Sequence, residues 1–272
     1  NTSKGAEYYW DVNKQSAGVL KEIRQAFLDE DKEKAAQLTR NNFNGLAAYE
    51  EKDETPFRFG SFTTMGELYV ETGLNELRMS NYRRILSLDS AMVVVQFDKD
   101  GVQYQRKYFI SYPDSVMVMK FTANQSGKQN LILSYCPNSE AKSNLRADGK
   151  DGLVYTGVLD NNGMKFAFRI KAIHKGGTLE AENDRLIVKG ADEVVFLLTA
   201  DTDYKMNFNP DFKDPKTYVG NDPEQTTRIM MDQAVQKGYD ELYRNHEADH
   251  TALFNRVRLQ LNPDISSPNL PT

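Results

Sequence analysis

His246-Glu247-Ala248-Asp249-His250 matches H-E-x-x-H, a spacing that sets two imidazoles one helical turn apart beside a glutamate. On a helix, that arrangement can hold zinc and supply a general base, the chemistry of a metallopeptidase. Two features oppose it here. The only further histidine is His174, and the segment is polar on every side, whereas a catalytic zinc helix packs within a core. A helix-capping or interface role outranks zinc, the peptidase stays as the remote alternative, and no metal ligand is assigned.

Other residues carry weaker signals. Tyr8, Tyr9 and Trp10 form one compact aromatic cluster in a loop. Aromatic faces stack on sugar rings, so these three are the candidate substrate-binding residues; the competing reading has them pack against a neighbouring segment. Met117, Met119, Phe121 and the tyrosines between Tyr104 and Tyr112 could line a sugar platform, but spaced by two along strands they read first as core or inter-domain contacts. Arg83-Arg84 beside Tyr82 reads as an ion-paired strand end. Cys136 reads as a buried apolar residue with no histidine to activate it, and His174 as an exposed strand end. Hydrolysis of a glycosidic bond with inversion needs two carboxyl groups roughly 6.5–9.5 Å apart. With 39 Asp and Glu residues, some pair meets that distance by chance, and the sequence singles none out.

Composition excludes several classes. A net charge of -5, with bases scattered among acids, argues against a nucleic-acid groove or membrane-surface binding. No run approaches the roughly 20 apolar residues of a membrane span. One cysteine forbids an internal disulfide, and the glycines have no phosphate-loop spacing, so no cofactor is expected. The chain opens at Asn1 without Met, which suggests that an upstream segment has been removed.

The elements that must position these residues follow from periodicity. Ser16 as N-cap with Val19, Leu20, Ile23 and Phe27 predicts a first helix, and Lys32 to Thr39 a second. Asn42 to Arg58 reads as a loop. From about Ser61 to Tyr204 the period is two. Ala91 to Phe97 and Val102 to Ile110 flank Asp98-Lys99-Asp100-Gly101, a hairpin signal, and Asp160-Asn161-Asn162-Gly163 marks another turn. Lys165, Arg169 and Lys171 alternate with Phe166, Phe168 and Ile170, setting charge on one face. Asp222-Pro223-Glu224-Gln225 opens a helix that runs to about Arg256 with a break at Gly238, and Val257-Leu259-Leu261 looks strand-like. The expected fold is mainly β: a large antiparallel β-sandwich, two N-terminal helices and a C-terminal helical linker.

Four blocks in register resemble the N-terminal domain of family 95 glycoside hydrolases, the α-L-fucosidase-like enzymes. They are Gly66-Glu67-Leu68-Tyr69-Val70; Tyr82-Arg83-Arg84-Ile85-Leu86-Ser87-Leu88-Asp89; Gly101 to Tyr104 with Arg106 and Phe109 to Asp114; and Tyr239, His246, Asp249, Leu253-Phe254 and Arg256-Val257. The resemblance implies a supersandwich domain over 1–206 and a connector with helical linker over 207–272, leading to an (α/α)6 barrel that lies beyond this chain. It implies that the catalytic residues sit in that barrel, so none is carried over here, and that this chain alone is inactive. The parent would remove terminal α-L-fucosyl or α-L-galactosyl residues from a glycan with inversion and without metal. Its partners would be its own barrel and the glycan, with export from a bacterium. A free-standing carbohydrate-binding module, using Tyr8, Tyr9 and Trp10, is the alternative from another class.

Overall fold

A computed structural model describes residues 18–43, 64–75, 77–137, 141–159, 163–182, 184–209, 211, 214 and 216–258. Backbone contacts divide the chain into two compact units. One contains α1 (Leu20–Leu28) and α2 (Lys32–Asn42), together with Val158–Lys165 and Asp203–Asn221. Here α1 buries Ile23 and Ala26, and α2 buries Ala35. The Asp31 side chain accepts the Lys34 N–H at 3.0 Å and satisfies a first-turn donor of α2. Of the apolar residues that predict the first helix, Ile23 goes inside while Phe27 is 60% exposed. In the same unit Tyr204 bridges to Val219 and stacks on Tyr218 at 5.9 Å.

The other unit is the β domain. Among the described residues the strands are β1 (Gly66–Glu71), β2 (Ser80–Ser87), β3 (Met92–Lys99), β4 (Val102–Ser111), β5 (Val116–Ala123), β6 (Gln129–Pro137), β7 (Ala141–Ala147), β8 (Gly152–Leu159), β9 (Lys165–Lys175), β10 (Thr178–Glu182), β11 (Arg185–Ala191) and β12 (Glu193–Thr202). They form a four-stranded sheet, β1-β6-β11-β10, and an eight-stranded sheet, β2-β3-β4-β5-β12-β9-β8-β7. The chain is therefore mainly β, as its period-two pattern predicts. Alternation decides which side chains meet between the sheets. Leu131, Leu133 and Tyr135 point inward from β6, and the Tyr135 ring lies 5.0 Å from Tyr155 and 4.9 Å from Phe168 of the facing sheet. Each such large side chain contributes roughly 1.5–3 kcal/mol on burial. The β3–β4 hairpin turns on Asp100 (φ 50°) and Gly101 (φ 76°), the paired positive φ of a tight two-residue loop.

The outer face of the larger sheet is apolar too, and α3 (Pro223–Phe254) covers it. Met92, Phe109, Val116, Val118, Val195 and Leu197 meet Met231, Ala234 and Leu242 of the helix. Asp222 caps its start, accepting the Glu224 N–H at 3.1 Å, with Pro223 at the first helical position. Gly238 breaks the helix at φ 70°, ψ 171°, a conformation essentially reserved for glycine. A Cβ there would meet nothing within 4 Å, so Gly238→Ala tests backbone strain alone. The expected loss is about 1–3 kcal/mol by urea unfolding. A loss near zero would mean that the helix readily runs straight through this position.

Three sequence expectations are corrected. Cys136 is exposed, because Leu131, Leu133 and Tyr135 fix the inward parity of β6 and turn the next residue outward. Arg83 and Arg84 are exposed, and among the described residues no ion pair reaches them: β2 is an edge strand whose only strand neighbour is β3. Val257 follows α3 outside any strand; Leu259 and Leu261 lie outside the described residues, as do Ser16, the turn residues 160–162 and most of the predicted loop from Asn42 to Arg58. The charged face of β9 forms, but Arg169 on it is only 2% exposed and pairs with Asp148.

Candidate functional site

His246, Glu247 and His250, which the sequence singled out as a pattern, lie where α3 crosses the larger sheet. The second half of α3 presents His246 and His250 toward the turn that joins β2 to β3. His246, 6% exposed, places Nε2 at 3.1 Å from both the Ser90 and the Ala91 carbonyl oxygens. His250 Nε2 lies 2.6 Å from the Leu88 carbonyl. Carbonyl oxygens only accept, so both Nε2 atoms carry hydrogen and donate. Both Nε2 atoms are therefore occupied in holding a turn. Glu247, the residue a peptidase would use as base, accepts the Tyr243 hydroxyl at 3.0 Å.

A stack of rings accompanies these bonds. Phe109 of β4 lies 4.9 Å from His246 and 5.8 Å from both Tyr239 and Tyr243. His246 stacks on His250 at 6.4 Å, and His250 on Phe254 at 5.0 Å. One helix face thus reads Tyr239, Tyr243, His246, His250, Phe254, with spacings of three and four that put the rings in one row.

A second clasp lies at the β4–β5 turn. Asp114, whose side chain is 1% exposed, accepts from Lys237 Nζ at 2.6 Å, Asn245 Nδ2 at 3.1 Å and Ser111 Oγ at 2.5 Å. Burial pushes its carboxyl up, but the three donors outweigh burial and hold it below the usual aspartate value. The same contact raises Lys237. Lys120 of β5 pairs with Glu193 at 2.8 Å and lies 4.2 Å over the Tyr239 ring. At the start of α3, Arg146 pairs with Glu224 at 2.5 Å, and the Thr199 hydroxyl donates to the Thr227 carbonyl at 3.1 Å.

Asp114 with Lys237, Arg146 with Glu224, and Lys120 with the Tyr239 ring are matched across the helix–sheet junction, while Glu193 pairs within the sheet and Glu247 within the helix. The candidate sugar contacts divide. Tyr8, Tyr9 and Trp10 lie outside the described residues. Met119, Phe121 and Tyr104 are buried, while Tyr112 is 83% exposed. His174 is an exposed residue near the end of β9, with Nδ1 at 2.7 Å from the Gly176 carbonyl. Sequence reasoning missed Asp114, Lys237 and Asn245; the Pro-Asp step after Ser111-Tyr112 was the one local signal of a turn carrying a buried acid. Among the described residues, no helix is long and apolar enough to cross a membrane.

Comparison with known proteins places this architecture. Residues 4–207 match the family model described as "Glycosyl hydrolase family 65, N-terminal domain". "Probable alpha-fucosidase A" of Aspergillus niger is 27% identical over 230 residues, covering 80% of this chain and 28% of that protein. "Alpha-L-fucosidase 2" of Arabidopsis thaliana is 26% identical over 226 residues, covering 74% of this chain and 26% of that protein. The chain thus spans about a quarter of the curated relatives that it matches. A solved structure titled "Putative kojibiose phosphorylase from human microbiome" aligns with a TM-score of 0.47 at 10% identity, over 68% of this chain and 27% of that one. The fucosidase resemblance read from the sequence agrees with both curated relatives; the matched family model carries the number 65 where the sequence blocks resembled family 95.

Proposed function

The chain belongs to the family of glycosyl hydrolase family 65 N-terminal domains, and from that premise we propose that it is the scaffold of a larger family 95-like exo-glycosidase. The parent enzyme removes terminal α-L-fucosyl or α-L-galactosyl residues from a glycan, with inversion. Its acid and its water-positioning groups belong to a catalytic barrel that follows residues 207–272, which act as connector and linker beside the domain over 1–206. Two curated relatives bearing fucosidase names support the substrate class. An exported location, outside the cytoplasm of a bacterium, goes with a glycan substrate.

The observation that carries the scaffold reading is an apolar strip at the far end of α3. Leu86 and Leu88 are each 62% exposed, Leu253 is 58%, Phe254 40% and Val257 83% exposed. His250 joins two of them, through the Leu88 carbonyl and the Phe254 ring. Clustered apolar side chains left in water mark a surface that something covers, and in this reading the barrel covers it.

The test is hydrolysis of an aryl α-L-fucoside by the 272-residue chain and by a protein extended through the barrel. The extended protein should turn over and the chain alone should not. Turnover by the chain at a rate near that of the longer protein would sink the scaffold reading. Saturable binding of fucose by the chain, abolished by Trp10→Ala, would instead favour the carbohydrate-binding module.

A further inference from the structure

One end of the layer between the two sheets opens into a cleft whose chemistry differs from the rest of the chain. Its free space, open to solvent, is about 240 Å³, lined by Thr72, Tyr104, Arg106, Phe121, Lys128 and Gln129 among others. Two cations line it and no Asp or Glu does, in a protein whose net charge is -5.

The donors there lack acceptors. Gln129 is 3% exposed, and its Nε2 has no hydrogen-bond partner. A buried amide left unmatched costs roughly 1–3 kcal/mol, so such a group calls for an occupant. Arg106 is held between rings, its guanidinium carbon 5.1 Å from the Phe97 centroid and 5.8 Å from that of Phe121. It bonds to the Tyr108 hydroxyl, and among the described residues no carboxylate pairs with it. Lys128 stands exposed at the rim, likewise without an ion pair among the described residues. The flanking rings hold the guanidinium plane in place, which lowers the entropy cost of binding through it.

We propose that this cleft binds a small oxyanion, a carboxylate or sulfate group, through Arg106, Lys128 and the Gln129 amide, with Tyr104 and Phe121 as its apolar walls. Charged N–H donors that converge without a counter-charge recognise planar or tetrahedral oxygens. The anion is either free or carried on a sugar as a uronate or sulfate ester.

Calorimetric titration of the chain at constant ionic strength tests this, with acetate, sulfate, glucuronate and neutral galactose as probes. A saturable response to the anions, with Kd roughly in the millimolar range, is the expected result. Lys128→Gln, at an exposed position that leaves the fold intact, and Arg106→Met, which keeps the stem between the rings, should each weaken it about tenfold. Glucuronate binding more tightly than acetate or sulfate supports a sugar-borne anion; equal binding supports a free one. No saturable response, an equal response to galactose, or binding unchanged in both variants overturns the proposal.

Discussion

Phe109→Ala is expected to destabilise the β domain by about 3–5 kcal/mol. Phe109 is 3% exposed and sits where β4 meets three ring partners of α3, so truncation leaves a cavity lined by Val118, Leu197 and Leu242 as well as by Tyr239, Tyr243 and His246. Ring pairs add roughly 0.5–1.5 kcal/mol beyond area, which places this site at the upper end of the range. For a domain of this size the melting temperature should fall by about 10 °C. Ile110→Ala, one residue on and 66% exposed, should stay within about 0.5 kcal/mol and serves as the control. Urea unfolding of both variants decides the matter: equal losses would mean that α3 is not held through this ring.

Asp114→Ala should cost about 2–4 kcal/mol at neutral pH. The variant loses three hydrogen bonds to a charged acceptor and leaves Lys237 and Asn245 facing an empty site. The partial exposure of Lys237, 34% for its side chain, keeps the loss below that of a fully buried pair. The effect also has a pH signature. In the folded chain, burial opposes ionisation of Asp114, but the bonds from Lys237, Ser111 and Asn245 dominate and lower its value. A carboxyl depressed on folding contributes stability above its unfolded value of about 3.9, and that contribution is lost as pH falls through the folded value. The stability gap between wild type and variant should therefore stay constant from about pH 7 to 5 and close below about pH 4. A gap that persists unchanged into stronger acid would show that packing, not charge, holds the turn.

What the sequence disclosed and what it hid divide by distance along the chain. The Asp100-Gly101 turn, the Asp222-Pro223 helix start and the Gly238 break are set by a few adjacent residues, and each was legible from residue type alone. Cys136 was misplaced because its facing depends on the parity of β6, which the run Leu131-Ile132-Leu133 leaves ambiguous until its partners in β1 and β11 are known. The H-E-x-x-H spacing correctly put two histidines on one helix face. Their partners, the carbonyls of Leu88, Ser90 and Ala91, are main-chain atoms 155 to 162 residues away, and no pattern of residue types encodes them. Asp114 was hidden for the same reason: two of its three donors come from a helix 123 and 131 residues later.

Those separations bear on the order in which the protein takes shape. The outer face of the larger sheet, with Phe109, Val118 and Leu197, is complete once β12 has formed, yet its cover arrives only with α3. Synthesis runs at roughly 5–20 residues per second, so the stretch from the end of β12 at Thr202 to Asn245 in α3 takes on the order of several seconds to emerge. Closing contacts of such span is slow and comes late. During that interval the nascent chain holds an apolar sheet face toward the ribosome surface and its chaperones. A polypeptide stopped at residue 206 would have its strands and never leave that state.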